Sequence, residues 1–204
     1  MNLDVYLDLG NIAGLLALKA TEQLVTDTGV AVRWLPIQGI VPRPFSREPR
    51  QNSDDPLSAY KHLRWQAKHQ FELRELQRDC ARLTLSSELA GQAFDGTLTH
   101  GVWLGMLDSG LPVTDYIHSV YQQRFEYGSA LETEAAVQKH AAAHGVELDM
   151  DRLAARWAAH QAAYLELGLH DSPAYVLGEE TFQGRQHLPL IRWRIDGEQG
   201  PPPL

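Results

Sequence analysis

A proline directly before a short apolar stretch near the end of the sequence limits how that stretch can fold. Pro173 precedes the run Ala174-Tyr175-Val176-Leu177. Because proline has no N–H to donate, it belongs at the entry of a strand rather than inside one. A second short run, residues 180–183, follows Gly178, and an amphipathic segment then extends from Gln186 to Ile195. The pattern predicts a proline, a strand, a turn, a strand and a helix, in that order.

The start of the chain predicts a strand, a helix and a second strand. Residues Leu3 to Leu9 alternate with period 2, which is typical of a strand. Asn11 is suited to cap a helix that should end near Gly29. Val30 to Pro36 is the next strand, and a helix between two strands favours a parallel pair with a right-handed crossover.

The middle of the chain has a different pattern. Prolines, glycines and polar residues between residues 36 and 52 predict a long loop. From about residue 55 to residue 165 every strong apolar periodicity is helical. The predicted helices cover residues 57–83, 89–107, 114–127, 132–144 and 149–165, with Thr114 and Asp149 as N-caps and Gly145 as a helix stop.

The closing segment resembles a branch of the thioredoxin-fold proteins. This branch holds DsbA-like proteins, kappa-class glutathione transferases and 2-hydroxychromene-2-carboxylate isomerases, and its proline is cis. The residues that match its closing phrase are Gly168, Pro173, Ala174, Tyr175, Gly178, Phe182 and Gly184, with Ser172 in place of the usual valine. The resemblance implies an α/β, thioredoxin-like domain made of residues 1–52 and 166–204. It also implies an all-helical insertion, residues 53–165, between the second and third strands.

A second stretch is similar to the isomerases of this branch. Lys68, Leu76, Arg78 and Ala81 match an isomerase-type pattern. On a helix, Lys61, Arg64, Lys68 and Phe71 share one face, and such a basic and aromatic stripe suits an acidic ligand. The residues alone favour a solvated basic face, with Glu72 and Glu75 nearby.

The catalytic position departs from the family. Redox members begin the first helix with Cys-x-x-Cys, and glutathione-dependent members begin it with Ser-Pro-Tyr-Ser or a close variant. This chain has Asn11-Ile12-Ala13-Gly14. A helix N-terminus stabilises a thiolate, and the Asn11 amide can donate to one, but it cannot be a nucleophile. The alternative is that Asn11 only caps the helix.

The resemblance also implies a ligand groove around the proline. The backbone at Ser172 and Pro173 would pair with the cysteinyl part of glutathione, and Lys68 would face the ligand from the insertion. Gln186 and His187 stand where glutathione-dependent members have Asp-Arg to hold the γ-glutamyl end. His170, which precedes Asp171, is a candidate acid or base, and an ordinary loop histidine is the alternative.

Cysteine and histidine usage narrows the chemistry. Cys80 is the single cysteine, so the chain cannot form an intramolecular disulfide, and we expect this thiol to be buried. His140 and His144 are four residues apart, which is metal-ligand spacing, but no motif places a third ligand. Paired surface histidines are therefore favoured, and no metal is expected.

Composition excludes several partners. The formal net charge of -8 argues against nucleic acid, which needs a basic face. The first residues lack the pattern of a secretory signal, and no run of 18 apolar residues occurs, so we expect a cytoplasmic protein that does not bind membranes. The family resemblance implies a homodimer as one assembly state.

Three functions remain at this level. The first is a glutathione- or thiol-dependent isomerase or transferase in which Asn11 replaces the hydroxyl. The second is a noncatalytic thioredoxin-fold protein that binds a small-molecule or thiol ligand. The third, a dithiol oxidoreductase, is disfavoured because it needs a thiol at position 11.

Overall fold

Four strands and seven α-helices make up the described part of the protein. The computed structural model describes residues 2–39, 57–85, 94–129, 131–146 and 149–203. The strands are β1 (Asn2–Leu7), β2 (Ala31–Pro36), β3 (Ala174–Leu177) and β4 (Glu180–Gln183). The helices are α1 (Ile12–Thr28), α2 (Ser58–Leu83), α3 (Thr97–Asp108), α4 (Thr114–Phe125), α5 (Glu134–Ala143), α6 (Met150–Glu166) and α7 (Leu188–Ile195), and a 3-10 turn (Arg185–His187) precedes α7.

The four strands form one mixed sheet in the order β2-β1-β3-β4. β1 pairs in parallel with β2 and antiparallel with β3, so that Val5 lies opposite both Trp34 and Tyr175. β3 and β4 form the antiparallel hairpin that Pro173 was expected to introduce. The predicted strand-helix-strand start and the closing hairpin and helix are therefore confirmed.

The hydrophobic core lies on both faces of this sheet. One face packs against α3 and α6, and its cluster comprises Tyr6, Leu35, Ile37, Leu104, Trp157, Tyr164, Leu169 and Ala174. Because side chains alternate along a strand, Leu3, Val5 and Leu7 point to the other face, and each is fully buried. α1 packs against β1 and α7. β1 is thus covered on both faces of the sheet.

The helix boundaries mostly follow the sequence signals. Asp149 caps α6 as predicted, since its Oδ1 accepts the Arg152 N–H at 3.1 Å. The prediction that Thr114 caps α4 was wrong, because Val113 occupies the cap position and no side chain caps the helix. α3 begins at Thr97 rather than near residue 89, and residues 86–93 lie outside the described residues. Residues 40–56, which include most of the loop predicted at residues 36–52, also lie outside them.

The chain divides into two compact units, Met1–Gly39 with Phe94–Leu204, and Ile40–Ala93. The boundaries predicted at residues 52 and 165 stay a prediction. In the second unit, α2 turns Cys80 inward, where the thiol is buried as expected. The residues of the predicted stripe, Lys61, Arg64, Lys68 and Phe71, are all exposed. Across the described ranges, no helix combines the length and the apolar character needed to cross a membrane.

Candidate functional site

Asn11 caps the N-terminus of α1. Its backbone is extended, and its side-chain Oδ1 accepts the Ala13 N–H at 2.9 Å. The Asn11 N–H in turn donates to the Asp8 carbonyl oxygen at 3.1 Å. No acidic residue stands in the first turn, so the positive end of the helix dipole is not neutralised from within the helix. The cap uses only the amide oxygen, so the amide nitrogen, Nδ2, and its two N–H donors take no part in it.

A buried carboxyl group lies directly below this helix start. Asp8 is only 9% exposed, and its two oxygens accept the Gly10 N–H at 2.7 Å and the Gly39 N–H at 2.8 Å. Burial raises the pKa of Asp8 to about 6, although both hydrogen bonds and the charge of Arg124 oppose the increase. The negative charge of Asp171 raises it further. Asp8 therefore titrates close to neutral pH.

The residue before the proline is bound to the same point. The Ser172–Pro173 peptide bond is cis. The Ser172 hydroxyl oxygen accepts the Asp8 N–H at 2.9 Å, and the Ser172 N–H donates to Asp171 Oδ1 at 2.8 Å. The Pro173 carbonyl oxygen accepts the Gly184 N–H at 2.7 Å. The loop before β3 is thus fixed against the end of β1.

A tyrosine and a glycine complete the packing above Asp8. The Tyr121 hydroxyl donates to the Asp8 carbonyl oxygen at 2.9 Å, and burial holds the pKa of this phenol well above its usual range. Gly14, in the first turn of α1, packs closely against this hydroxyl group. A Cβ at position 14 would overlap the Tyr121 hydroxyl and stand 2.8 Å from the Asp8 carbonyl oxygen. The close approach of α1 to Tyr121 therefore requires glycine.

His100 supports the site as a neutral group. It is fully buried, and its Nε2 accepts the Leu9 N–H at 3.2 Å. Burial lowers the pKa of His100 to about 3, so the ring is neutral at neutral pH. Because Nε2 accepts a hydrogen bond, the single ring proton is on Nδ1. Although His100 Nε2 lies 3.7 Å from Asp8 Oδ1, the pair is not an ion pair, because the imidazole carries no charge.

Arg124 brings a buried positive charge into the same region. Its side chain stacks over the Phe94 ring, with the guanidinium carbon 4.4 Å from the ring centroid, and it is only 6% exposed. The electrostatic attraction between Arg124 and Asp8 favours the ionised carboxylate and partly offsets the cost of burying it.

Two solved structures are similar to this chain along nearly its whole length. One, a 2-hydroxychromene-2-carboxylate isomerase, is 18% identical, covers 96% of this chain and 95% of its own, and has a TM-score of 0.63. The other is a probable DsbA oxidoreductase from Streptomyces coelicolor, 14% identical over 100% of this chain and 93% of its own, with a TM-score of 0.61.

The chain has a DsbA-like thioredoxin fold. This is the α/β fold with a helical insertion that the closing motif implied. At such low identities the likeness concerns the fold alone. No protein-family model matches the chain, and no curated protein matches its sequence.

Within this DsbA-like fold, two of the predicted site residues meet through Asp8. Asn11 donates its backbone N–H to the Asp8 carbonyl oxygen, and Ser172 accepts the Asp8 N–H. Pro173 follows Ser172 into β3. The start of α1 and the proline loop therefore form one hydrogen-bonded unit, which is the candidate site.

Other predicted site residues occupy different surroundings. His170 is exposed, and its Nδ1 lies 3.2 Å from the Gly168 carbonyl oxygen and 3.3 Å from Gln183 Nε2. The Gln186 amide donates to the Gln183 carbonyl oxygen at 2.9 Å, and the His187 ring packs against Phe182.

Lys68 belongs to the second compact unit. The roles proposed for Lys68, His170, Gln186 and His187 stay predictions.

Sequence reasoning missed several groups that shape the site: Asp8, Gly14, Gly39, His100, Tyr121 and Arg124. A signal was present for Asp8, because it is the one acidic residue between two buried leucines, Leu7 and Leu9, directly before the helix cap. The other groups become neighbours only through tertiary packing. In the described ranges, no group of three or more His, Cys, Asp or Glu side chains is arranged to hold a metal ion.

Proposed function

We propose that this protein is an enzyme of the isomerase or transferase class that uses glutathione, or a closely related thiol, at the N-terminus of α1. The observation that carries the proposal is the cap geometry of Asn11. Its Oδ1 is used by the Ala13 N–H, which directs the donor end of the amide away from the helix. Capping and donation to a ligand are therefore compatible in the same side chain.

The sulfur end of such a ligand suits the residues at this position. A thiolate near α1 would meet the partial positive charge of the helix and the two N–H donors of Asn11 Nδ2. Hydrogen bonds to a charged acceptor are the stronger kind. A bound thiol supplies the nucleophile that Asn11 cannot provide.

The peptide backbone of such a ligand would compete with Asp171 for a hydrogen-bond donor. A backbone segment that pairs beside Pro173 needs the N–H of Ser172, and this N–H already donates to Asp171 Oδ1. A carbonyl oxygen of the ligand would have to replace that carboxylate. The proposal therefore expects modest affinity that Asp171 limits.

Asp8 is the group of this chain suited to hold a proton near the reaction. With a pKa of about 6 it is mostly ionised at neutral pH and still close enough to titrate during turnover. Its two backbone hydrogen bonds keep the carboxyl group fixed. We infer that Asp8 modulates the charge beneath the α1 N-terminus rather than attacking a substrate, because it is buried.

The isomerase with a similar fold acts, by its name, on a chromene carboxylate. We propose that the substrate is a small acidic molecule, that the protein is cytoplasmic and that it forms a homodimer. Light scattering measures the assembly state directly.

Calorimetry of glutathione binding to the wild type and to the nearly isosteric variant Asn11→Asp tests the proposal. Asn11→Asp keeps the capping oxygen, because aspartate and asparagine cap helices about equally well, but it removes both N–H donors and adds a negative charge. We expect glutathione affinity to fall by about 10-fold or more, the equivalent of one charge-assisted hydrogen bond.

The matched control is Asn2→Asp, which changes the net charge equally at the far end of β1 from the α1 N-terminus. It should bind glutathione as the wild type does. Absence of glutathione binding to the wild type, or equal binding by both variants, contradicts the proposal.

A noncatalytic thiol-binding protein is the second candidate. The observation that favours it is that the polar groups around Asp8 serve the fold, since the Ser172 and Tyr121 hydroxyls both bind the Asp8 backbone. If this candidate is correct, the wild type binds a thiol without turnover, and Asn11→Ser or Asn11→Cys restores chemistry. Turnover of a chromene carboxylate by the wild type would refute it.

Dithiol exchange needs two thiols, and this chain has only Cys80. Burial raises the pKa of the Cys80 thiol and makes it a poor nucleophile. An insulin-reduction assay should therefore show no activity.

A further inference from the structure

Two histidines converge on one serine, away from the α1 site. His140 and His144 are one turn apart at the end of α5, and Ser119 lies on α4. The Ser119 Oγ is 2.9 Å from His140 Nε2 and 3.1 Å from His144 Nε2. All three side chains are half-buried. The cluster therefore presents two ring nitrogens and a hydroxyl oxygen to one point.

The hydrogen bonds fix the direction of each group. The Ser119 hydroxyl donates its single proton to the Tyr116 carbonyl oxygen at 2.8 Å. Its oxygen must then accept from both imidazoles, so each ring carries a proton on Nε2 in the resting state. When each ring moves its proton from Nε2 to Nδ1 by exchange with solvent, both Nε2 lone pairs are free to bind a cation, with the hydroxyl oxygen beside them and no net loss of protons.

The Tyr116 ring holds the two imidazoles in place. Its centroid lies 5.7 Å from the His140 ring and 5.4 Å from the His144 ring. Tyr116 itself is fully buried, and its hydroxyl donates to the Thr99 carbonyl oxygen at 2.9 Å. The ring is thus a rigid wall that fixes the orientation of both histidines, as groups around metal ligands commonly do.

We propose that His140, His144 and Ser119 form a binding site for a transition-metal dication of the Zn²⁺ type. Sequence spacing alone left this pair without a third group, and the fold supplies one in Ser119. Imidazole nitrogen suits Zn²⁺, which binds four ligands in a tetrahedral arrangement. Two imidazoles and the hydroxyl oxygen provide three, and water provides the fourth.

The site joins two helices that are separate in sequence. Ser119 belongs to α4 and the histidines to α5 and its C-terminal end, so a bound ion crosslinks the segment between them. An ion that binds only the folded state stabilises it by mass action. Zn²⁺ should therefore raise the thermal midpoint of unfolding as well as bind.

Calorimetric titration of the untagged, chelator-treated full chain with Zn²⁺ tests the site. We expect one ion per chain and a higher thermal midpoint in its presence. Mutation of a group that only supports a metal ligand lowers metal affinity by about 10- to 100-fold. Because His140 and His144 are ligands themselves, His140→Ala and His144→Ala should each weaken binding by about 100-fold. Ser119→Ala should weaken it by about 10-fold, because the hydroxyl is the weaker ligand.

The control is His118→Ala, which removes a neighbouring imidazole on α4. His118 Nε2 lies 2.6 Å from Glu22 Oε1 and does not take part in the cluster. Its substitution should leave Zn²⁺ affinity unchanged. Circular dichroism confirms that each variant is folded. Absence of stoichiometric binding to the wild type, or wild-type Zn²⁺ affinity in His140→Ala and His144→Ala, overturns the site.

Discussion

The Asp8 N–H donates to the Ser172 hydroxyl oxygen at 2.9 Å, and this single buried bond joins residues that are 164 positions apart. It connects the end of β1 with the loop that enters β3. Because the same Asp8 also receives the Asn11 N–H and the Tyr121 hydroxyl on its carbonyl oxygen, the position of the α1 N-terminus depends on it. The bond therefore links the stability of the sheet to the shape of the candidate site.

Ser172→Ala should destabilise the protein without a change of fold. The substitution leaves the buried Asp8 N–H without its acceptor, and such an orphaned group costs about 1–3 kcal/mol. Urea unfolding at pH 7 measures this loss. Ser109→Ala is the control, because Ser109 is exposed at the end of α3 and its substitution should change stability by less than about 0.5 kcal/mol. Equal stability of the two variants would show that the Asp8 bond contributes nothing.

Gly14→Ala should also destabilise, although alanine is the better helix former by about 1 kcal/mol. The new Cβ would overlap the Tyr121 hydroxyl and crowd the Asp8 carbonyl oxygen, so α1 would have to move. Thermal unfolding should show a lower midpoint. Adding Tyr121→Phe removes one of the two overlapping groups and should restore part of the loss.

Gly105→Ala is the control for this prediction. It lies inside α3, where a Cβ would meet only the flexible Leu153 side chain at 3.4 Å. Here the helix propensity should prevail, and the midpoint should stay unchanged or rise. A rise in both glycine variants would contradict the packing of α1 described above.

The fold could be predicted from the sequence because its elements carry local signals. The alternation of Leu3 to Leu9, the Asn11 cap and the proline before Ala174 each act within a few residues, and each corresponds to an element of the structure. The Thr114 cap failed because several residues near a helix start can satisfy the same pattern, and packing selects among them.

The candidate site was harder to predict because its groups are distant in sequence. His100 and Tyr121 reach Asp8 from α3 and α4, and neither helix shows in its sequence which buried side chain faces the sheet. Asn11 could be placed at the helix start, but the orientation of its amide follows only from the observed bond to Ala13. The family resemblance predicted a ligand groove beside Pro173 and could not show which of the donors there were already used.

Asp8→Asn should remove a distinctive pH dependence of stability. Burial raises the folded pKa of Asp8 from 3.8 to about 6, so the folded state binds the proton more tightly. The resulting stability is complete below about pH 4 and is lost as the pH rises through the folded pKa. The stability difference between wild type and variant should fall by about 2 kcal/mol from pH 4 to pH 7, at about 1.36 kcal/mol per pKa unit.

Asp27→Asn provides a control of opposite sign. The hydrogen bonds from Gln23 and Arg192 lower the pKa of Asp27, so its contribution is lost as the pH falls. Urea unfolding at several pH values distinguishes the two slopes. A flat difference for Asp8→Asn would mean that the buried carboxyl group does not titrate between pH 4 and pH 7.

Removal of the Asp171 carboxylate should strengthen glutathione binding if the proposed function is correct. Asp171 Oδ1 accepts the Ser172 N–H, which is the donor that an extended ligand beside Pro173 requires. Asp171→Ala frees this N–H and removes a negative charge, and we expect affinity to rise about 10-fold, as for one hydrogen bond regained. Asp171→Asn retains an acceptor oxygen and removes only the charge, so its increase should be smaller. Calorimetry on both variants separates the two effects. Weaker binding by Asp171→Ala would mean that the carboxylate holds the loop in the conformation that the ligand needs.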